Sequence, residues 1–447
     1  MDNIAMGENR QRNMNQAENV TVSDDNESLL KGPCPLDVEI AFERRPFRFA
    51  EASLDIDALK VVHRLKRFGF ETYLVGGCVR DLLLGAVPKD FDVVTSARPA
   101  EIKALFRNCR LIGRRFRLAH LHFKDQKIIE VATFRREPLE TDDLTTRHAA
   151  QNLFGTAADD ALRRDFTVNS LMYDVENGEI LDWVGGLKDI ENRVIRAIGA
   201  PQRRLPEDPV RIIRAIKFSL RLNLNIEQSL HEQMVQHASL LIDCSKARLL
   251  EEIFKILRSG YAAPCLAELE SVGVLSYILP EFCNMWAQLE NPSWNLLAKA
   301  DEWVLSGRAV SDSFLLAVLL YPVLADMIWE SNDVAKAVST IMKSVVIPLQ
   351  FTKKHMTTVR NAYIAQRRMV KGPRNKRTRR LVERDYAPEA IELLDITDKA
   401  TGAVIGQWRK LVAKRVGVAV KSVPVLPRPA RRRPPVKRTR TPRKPAD

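Results

Sequence analysis

Two aspartates separated by one phenylalanine, Asp90 and Asp92 in "KDFDVVT", are the residues of this chain whose type and spacing most directly point to chemistry. On an extended strand, positions i and i+2 project from one face, so the two carboxylates lie roughly 6–7 Å apart. Carboxylates that close raise each other's pKa unless a cation sits between them. Ligation by oxygen alone suits Mg²⁺, which adds water and substrate phosphates to a few carboxylates. Upstream, Gly76-Gly77 closes the apolar run "TYLV", and without a Cβ in the way its backbone amides can approach a triphosphate. Arg80 follows on the first turn of a short helix, where guanidinium and helix N-terminus favour the same anion. Each feature alone has a bland reading. Gly-Gly turns are common, a DxD is often a solvated strand edge, and Arg80 could pair with Asp81 on the surface. The order strand, Gly-Gly, helix, strand, DxD favours a site that handles metal and phosphate.

Holding those groups in place calls for a small α/β unit. "DIDALKVVHRLKRFGF" predicts a helix leading into the strand "TYLVG", with a short helix over 79–84 and the strand "FDVVT" after it. "RPAEIKALFRN" reads as a helix, and "RRFRLAHLHF" and "KIIEVATFR" as two further strands. "MYDVENGEILDWV" reads as a hairpin turning at Asn177-Gly178. The sum is an α/β head of three to five strands, not an extended parallel sheet. Residues 136–157 lack a period and read as a mobile loop, with helix resuming at "ADDALRRDFTVNSLMYD". After "RAIGAPQRRLPEDP" strand signals almost stop, and helices dominate to about residue 415. The expected organisation is a disordered segment over 1–35, a head over 36–197, a helical neck over 198–260 and a helical body over 261–420. A Pro-rich basic tail over 421–447, with nine basic residues against one acid from Arg428 onward, closes the chain.

Composition narrows the function classes. With 447 residues, 45% hydrophobic and 28% charged, the chain fits a soluble globular protein of two to four domains. A net charge of +14 and a pI near 9.6 point to a polyanionic partner. The longest apolar run, 314–325, contains Pro322, is closed by Asp326 and reads as too short to span a bilayer. Six scattered cysteines without a CxxC pair indicate neither a zinc site nor a disulfide framework. With no leader signal in "MDNIAMGENRQRNMNQAENV", the expected compartment is the reduced cytoplasm. A second basic run, "QRRMVKGPRNKRTRRLVERD" at 366–385, reads equally as an RNA track or a solvated helix pair. Trp183 reads as a packing residue.

In order and spacing, "LVGGCVRDLLLG…KDFDVVT", "RRDFTVNSLMYDV", "DWVGGLKDI" and "EDPVRIIRAIKF" resemble the class II tRNA nucleotidyltransferase/bacterial poly(A) polymerase family. "NCRLIGRRFRLAHLHF", "IIEVATFR" and the basic tail are similar to its poly(A) polymerase branch. The resemblance covers residues 35–260 strongly and the helical remainder weakly. It implies an α/β nucleotidyltransferase head with a small mixed sheet, followed by an all-α neck, body and tail that hold RNA. The implied activity is template-independent polyadenylation of RNA 3′ ends, transferring AMP from ATP with release of pyrophosphate. Matched residue by residue, Asp90 and Asp92 would bind two Mg²⁺ ions, and Gly77 and Arg80 would contact the triphosphate. Asp165 in "RRDFTVN" matches an acidic residue of the family's active site and Arg164 a nucleotide contact. Glu130, on a neighbouring strand, is an independent candidate for the third carboxylate.

Asp208 and Arg211 match the family's pair that reads the Watson–Crick edge of the base, with Arg214 next on the same stripe. Asp208 before Pro209 also fits an N-cap followed by a first-turn proline. The roles are compatible, since one oxygen can cap while the other faces the base. Asp208, Arg211 and Arg214 step about −60° each, so the stripe is expected on the opposite side of the helix by Lys217. Lys217 stands where the family usually has arginine. Two rivals remain: a CCA-adding tRNA nucleotidyltransferase sharing every catalytic residue, and a non-catalytic RNA-binding protein of the same fold. The intact aspartate pair argues against the second.

Overall fold

The computed structural model describes residues 42–113, 117–137, 153–346 and 351–416. The 1–35 segment, most of the 136–157 loop, part of the GRRFRLAH block and the 421–447 tail lie outside the described residues. The head is built on strands β1 (Glu43–Pro46), β2 (Thr72–Val75), β3 (Asp92–Thr95), β4 (Cys109–Ile112), β5 (Leu118–His122), β6 (Ile128–Thr133), β7 (Met172–Asp174) and β8 (Glu179–Asp182). They form one mixed sheet in the order β1-β8-β7-β2-β3-β6-β5-β4. Only β3 and β6 run parallel; every other neighbouring pair is antiparallel. The sheet is thus wider than the three to five strands expected. The additions are edge strands: β1 is mostly exposed and β4 alternates imperfectly, so neither "ERRP" nor "CRLI" carries a strand pattern of its own. Central β2 is buried throughout, and β3 everywhere but at Asp92.

Helix α1 (Ile56–Arg67) opens where the Asp55 carboxylate accepts from the amides of Asp57 and Ala58, an ordinary acidic N-cap. It buries Ala58, Val61, Val62 and Leu65. Short helices α2 (Gly77–Leu83), α3 (Pro99–Leu105), α4 (Ala157–Leu162) and α5 (Gly186–Glu191) complete the head. Then come α6 (Pro201–Glu207), α7 (Val210–Leu222), α8 (Gln228–Gln236) and α9 (Lys246–Leu257). Two residues on each side of α7's surroundings, Val194–Ile195 and Asn225–Ile226, pair in parallel and tie the end of the head to the end of α7. One apolar cluster runs without interruption from Leu54 in the head to Trp408 near the end of the described chain. A smaller one covers the other sheet face, where Trp183 packs against a group including Val75, Phe134 and Met172.

The apolar run expected to stop at Asp326 belongs to a longer helix, Asp312–Glu330, which continues through Pro322. At 19 residues it is long and apolar enough to cross a membrane, yet most of it is buried inside the protein. Here it is the central helix of the body.

Candidate active site

The turn after β2 requires glycine once. Gly76 has φ 72° and ψ −122°, and a Cβ there would stand 3.1 Å from Arg164 Nη1 and 3.4 Å from the Asn169 carbonyl oxygen. Gly77 is different: a Cβ would meet nothing closer than Arg80 Nη2 at 3.7 Å. Gly76→Ala should therefore destabilise the fold by about 1–3 kcal/mol and displace Arg164. Denaturant melting together with nucleotide affinity checks this, and Gly77→Ala should leave stability nearly unchanged.

The β2–β3 register sets Val75 opposite Asp92, so the first residue of β3 lies beside that turn. The parallel β3–β6 register sets Glu130 directly alongside Asp92. Among the described residues, no hydrogen bond or ion pair engages the carboxylates of Asp90 or Asp92. Asp92 reaches solvent through the cleft, but protein crowds it on the other sides. That burial, then Glu130 and Asp90, pushes its carboxyl up to about 6, and Arg164 opposes the rise. β3 begins at Asp92, so Asp90 stands just before the strand and not on the strand face expected from the sequence; two unpartnered, mutually repelling carboxylates there fit a hard divalent cation.

Asp165, Arg164 and Arg80 are committed within the protein. Asp165 is buried; its Oδ1 accepts from the Phe166 amide at 2.8 Å and from Asn169 Nδ2 at 3.1 Å, and its Oδ2 forms an ion pair with Arg214 at 2.5 Å but no hydrogen bond among the described residues. Arg164 donates to Asp160 at 2.9 Å. Arg80 does pair with Asp81, but the pair is buried rather than on the surface. The Arg80 guanidinium also donates to Asn169 Oδ1 and lies 5.0 Å from the Phe218 ring centre. Asp81 accepts in turn from Arg221 at 2.8 Å. Sequence reasoning missed Asp81, Asn169, Phe218 and Arg221 as parts of the site. Arg221 was findable, being seven positions after Arg214 and so on nearly the same helical face.

Asp208 ends α6 and does not cap α7: Pro209 precedes the helix, and no side chain accepts from its first amides. The N-cap expectation is corrected accordingly. Asp208 Oδ2 accepts from Arg248 Nη2 at 2.7 Å, whereas Oδ1 is buried without a partner among the described residues. Arg211 donates through Nη1 to the Arg204 carbonyl and to Glu207. Its Nη2 makes no hydrogen bond among the described residues. Lys217 is not on the far side of the stripe. It lines the same cleft, because α9 closes that flank and presents Glu252 to Lys217 Nζ at 2.7 Å. Burial lowers the Lys217 pKa, and Glu252 works against that.

All nine residues expected from the sequence, Gly77, Arg80, Asp90, Asp92, Arg164, Asp165, Asp208, Arg211 and Arg214, line one cleft of about 690 Å³. Its lining holds nine Lys or Arg side chains against six carboxylates, an excess that suits a polyphosphate. Glu130 is outside this lining but adjoins Asp92 on the sheet.

Comparison with known proteins agrees with this arrangement. The profile described as "Poly A polymerase head domain" matches residues 72–196, and "Probable RNA and SrmB- binding site of polymerase A" matches 223–285. The chain is 37% identical to "Poly(A) polymerase I" of Salmonella typhimurium over 375 residues, 79% of this chain and 80% of that protein. It is 33% identical to the "CCA-adding enzyme" of Streptococcus gordonii over 297 residues, 65% of this chain and 71% of that one. Among solved structures, the Bacillus stearothermophilus CCA-adding enzyme in complex with CTP is similar at a TM-score of 0.60 and 25% identity, covering 80% of this chain and 81% of that one. With this identity across four fifths of a relative, and with this sheet and cleft, the chain belongs to the class II tRNA nucleotidyltransferase/poly(A) polymerase family, on its poly(A) polymerase branch.

Proposed function

We propose that this protein extends RNA 3′ ends with AMP taken from ATP, without a template, releasing pyrophosphate. One observation carries the reading. The uncommitted Asp90 and Asp92 share a cation-rich cleft with Asp208, whose buried Oδ1 lacks a hydrogen-bond donor among the described residues. In the reaction the RNA 3′ oxygen bonds to the α-phosphorus as its hydroxyl proton passes to water in the open cleft. The bond from that phosphorus to the bridging oxygen breaks, and its electron pair departs with pyrophosphate. Asp90 and Asp92, flanked by Glu130, would hold Mg²⁺, which when bound supplies charge neutralisation to the attacking oxygen and the pyrophosphate.

The chain's own residues bind and orient. The Gly77 backbone and Arg164 face the triphosphate. Arg80, bound to Asp81 and Asn169, holds the cleft wall in place. Asp165 acts by fixing Arg214 rather than by touching metal. The free Asp208 oxygen accepts from the exocyclic amine of adenine while Arg211 donates to the ring nitrogen, as each group's inventory allows. ATP and RNA meet in the cytoplasm, which agrees with the compartment expected from the cysteine usage.

The same Asp–Arg pair can read cytosine, and a relative of similar fold was solved with CTP, so CCA addition is the second reading. Higher identity and wider coverage with poly(A) polymerase I favour AMP addition alone. Purified protein incubated with RNA of arbitrary 3′ sequence and each nucleoside triphosphate separately should build a long tract from ATP only. Arrest after three nucleotides on tRNA would establish CCA addition instead. No incorporation with Mg²⁺ present would reduce the protein to RNA binding.

A further inference from the structure

One cation close to the cleft does not line it. Arg204, on α6, is buried behind the wall to which Arg163, Arg164 and Arg211 belong. Its Nη2 donates to the carbonyl oxygens of Arg163 at 3.0 Å and of Arg164 at 2.9 Å. Its Nη1 donates to Glu207 Oε2 at 2.8 Å, with Glu137 farther off at 3.9 Å. Glu207 Oε2 also accepts from Arg211 Nη1 at 3.3 Å. The same Nη1 donates to the Arg204 carbonyl, across the break between α6 and α7. A single buried guanidinium therefore touches the segment that carries Arg164 and, through Glu207 and its own backbone, the base-reading Arg211.

Each link has a physical reason. Arg163 and Arg164 follow directly on α4, past the last turn that could supply their carbonyls with helical amides. Among the described residues no backbone amide donates to either carbonyl, so the Arg204 fork is what satisfies them. The two peptides lead into Asp165, which holds Arg214. On the other side, Glu207 and the Arg204 carbonyl occupy Nη1 of Arg211 and leave its Nη2 for the base. A guanidinium is flat and rigid, so a shift of the Arg163–Arg164 peptides is carried through its plane to Glu207 and Arg211. Arg204 Nε is buried with no partner among the described residues. An unmet buried donor costs stability; the three acceptors, not the solvation of the side chain, set where it lies.

We propose that Arg204 is a positioning residue that holds the triphosphate-facing Arg163–Arg164 segment and the base-reading Arg211 in one register. It touches neither end of the nucleotide, yet both ends depend on it. The inference rests on the proposed function for what each side of the cleft faces. The positioning itself is read by binding and needs no turnover.

The test compares the full wild-type chain with Arg204→Lys, in Mg²⁺ and without RNA, by equilibrium binding of ATP, GTP and inorganic triphosphate. Lysine keeps the charge but cannot make the planar fork. GTP is the competitor because guanine presents a carbonyl where adenine has its amine, so either reading of the Asp208–Arg211 pair rejects it. With one charge-assisted hydrogen bond lost on each side, inorganic triphosphate should bind about tenfold more weakly, and the preference for ATP over GTP should fall about tenfold as well. A purely structural role predicts a lower melting temperature with both binding readouts intact in the folded variant. That result, or the loss of one readout without the other, overturns the inference. If Arg204→Lys does not fold, Glu207→Ala decides. Glu207 is exposed and engages Arg204 and Arg211 but neither carbonyl. The preference should then drop by about fivefold with inorganic triphosphate affinity unchanged, and an unaltered preference refutes the positioning role. If the expected losses are found but the wild-type chain takes CTP as readily as ATP, or adds no AMP to RNA, the proposed function fails and the positioning role stands.

Discussion

Asp92→Asn is expected to lower the rate of AMP transfer by more than about 10²–10³-fold, the range for removing one group that stabilises a transition state. The fold should survive. The Asp92 carboxylate makes no hydrogen bond or ion pair among the described residues, and its neighbours Glu130 and Asp90 repel it. Its folded pKa of about 6 lies above the ordinary value of 3.8. Folded protein therefore holds this proton more tightly than unfolded protein, and stability falls as pH rises through the window between those values. Above the window the full penalty stands, and asparagine escapes it. Melting near neutral pH without metal should thus be equal or higher in the variant. An active Asp92→Asn enzyme would sink the metal assignment.

The same assay separates the two candidates for the third carboxylate. Glu130→Gln should lower kcat, because Glu130 is in register with Asp92. Asp165→Asn should act mainly on ATP KM and stability, because it leaves Arg214 without its anion. The reverse outcome would return the catalytic role to Asp165.

Asp208→Asn should erode the preference for ATP over other nucleotides by about 1–3 kcal/mol, the discrimination carried by a paired base contact. The reason is chemical. Arg248 can still donate to the remaining amide oxygen, which turns the new NH₂ toward the position of the unpartnered Oδ1. A donor then faces the donor amine of adenine. Competition assays with mixed nucleoside triphosphates read the effect, and Arg211→Ala should move the preference in the same direction. Because Asp208 makes no capping bond to α7, melting should change little. A drop in melting temperature with nucleotide preference intact would mean that the residue is structural only.

Much of this site was legible because its logic is local. Gly76, the short helix and the aspartate pair lie within 17 consecutive residues, so chain proximity alone brings them to one cleft, although only Asp92 belongs to β3. The strand-then-helix organisation was also visible, since it follows from the change of hydrophobic period along the chain. The edge strands β1 and β4 were not, because an edge strand owes its conformation to a partner's backbone rather than to its own pattern. The N-cap reading of Asp208 failed for a related reason. A residue between two helices can end one or start the other, and here it ends α6 with φ −148° while its carboxylate turns to Arg248.

Tertiary structure decided the partners. By itself the sequence determined which residues carry charge and which short segments place them. It did not contain the parallel β3–β6 pairing that brings Glu130 beside Asp92, nor the docking of α9 on α7 that turns Lys217 toward Glu252. Nor did it say that Arg80 would be spent on Asp81 and Asn169 while Arg377 and Arg380 would have no hydrogen bond or ion pair among the described residues. Those outcomes depend on which groups lose water together when distant segments pack, and a charge that loses water must find a partner wherever the fold has placed one.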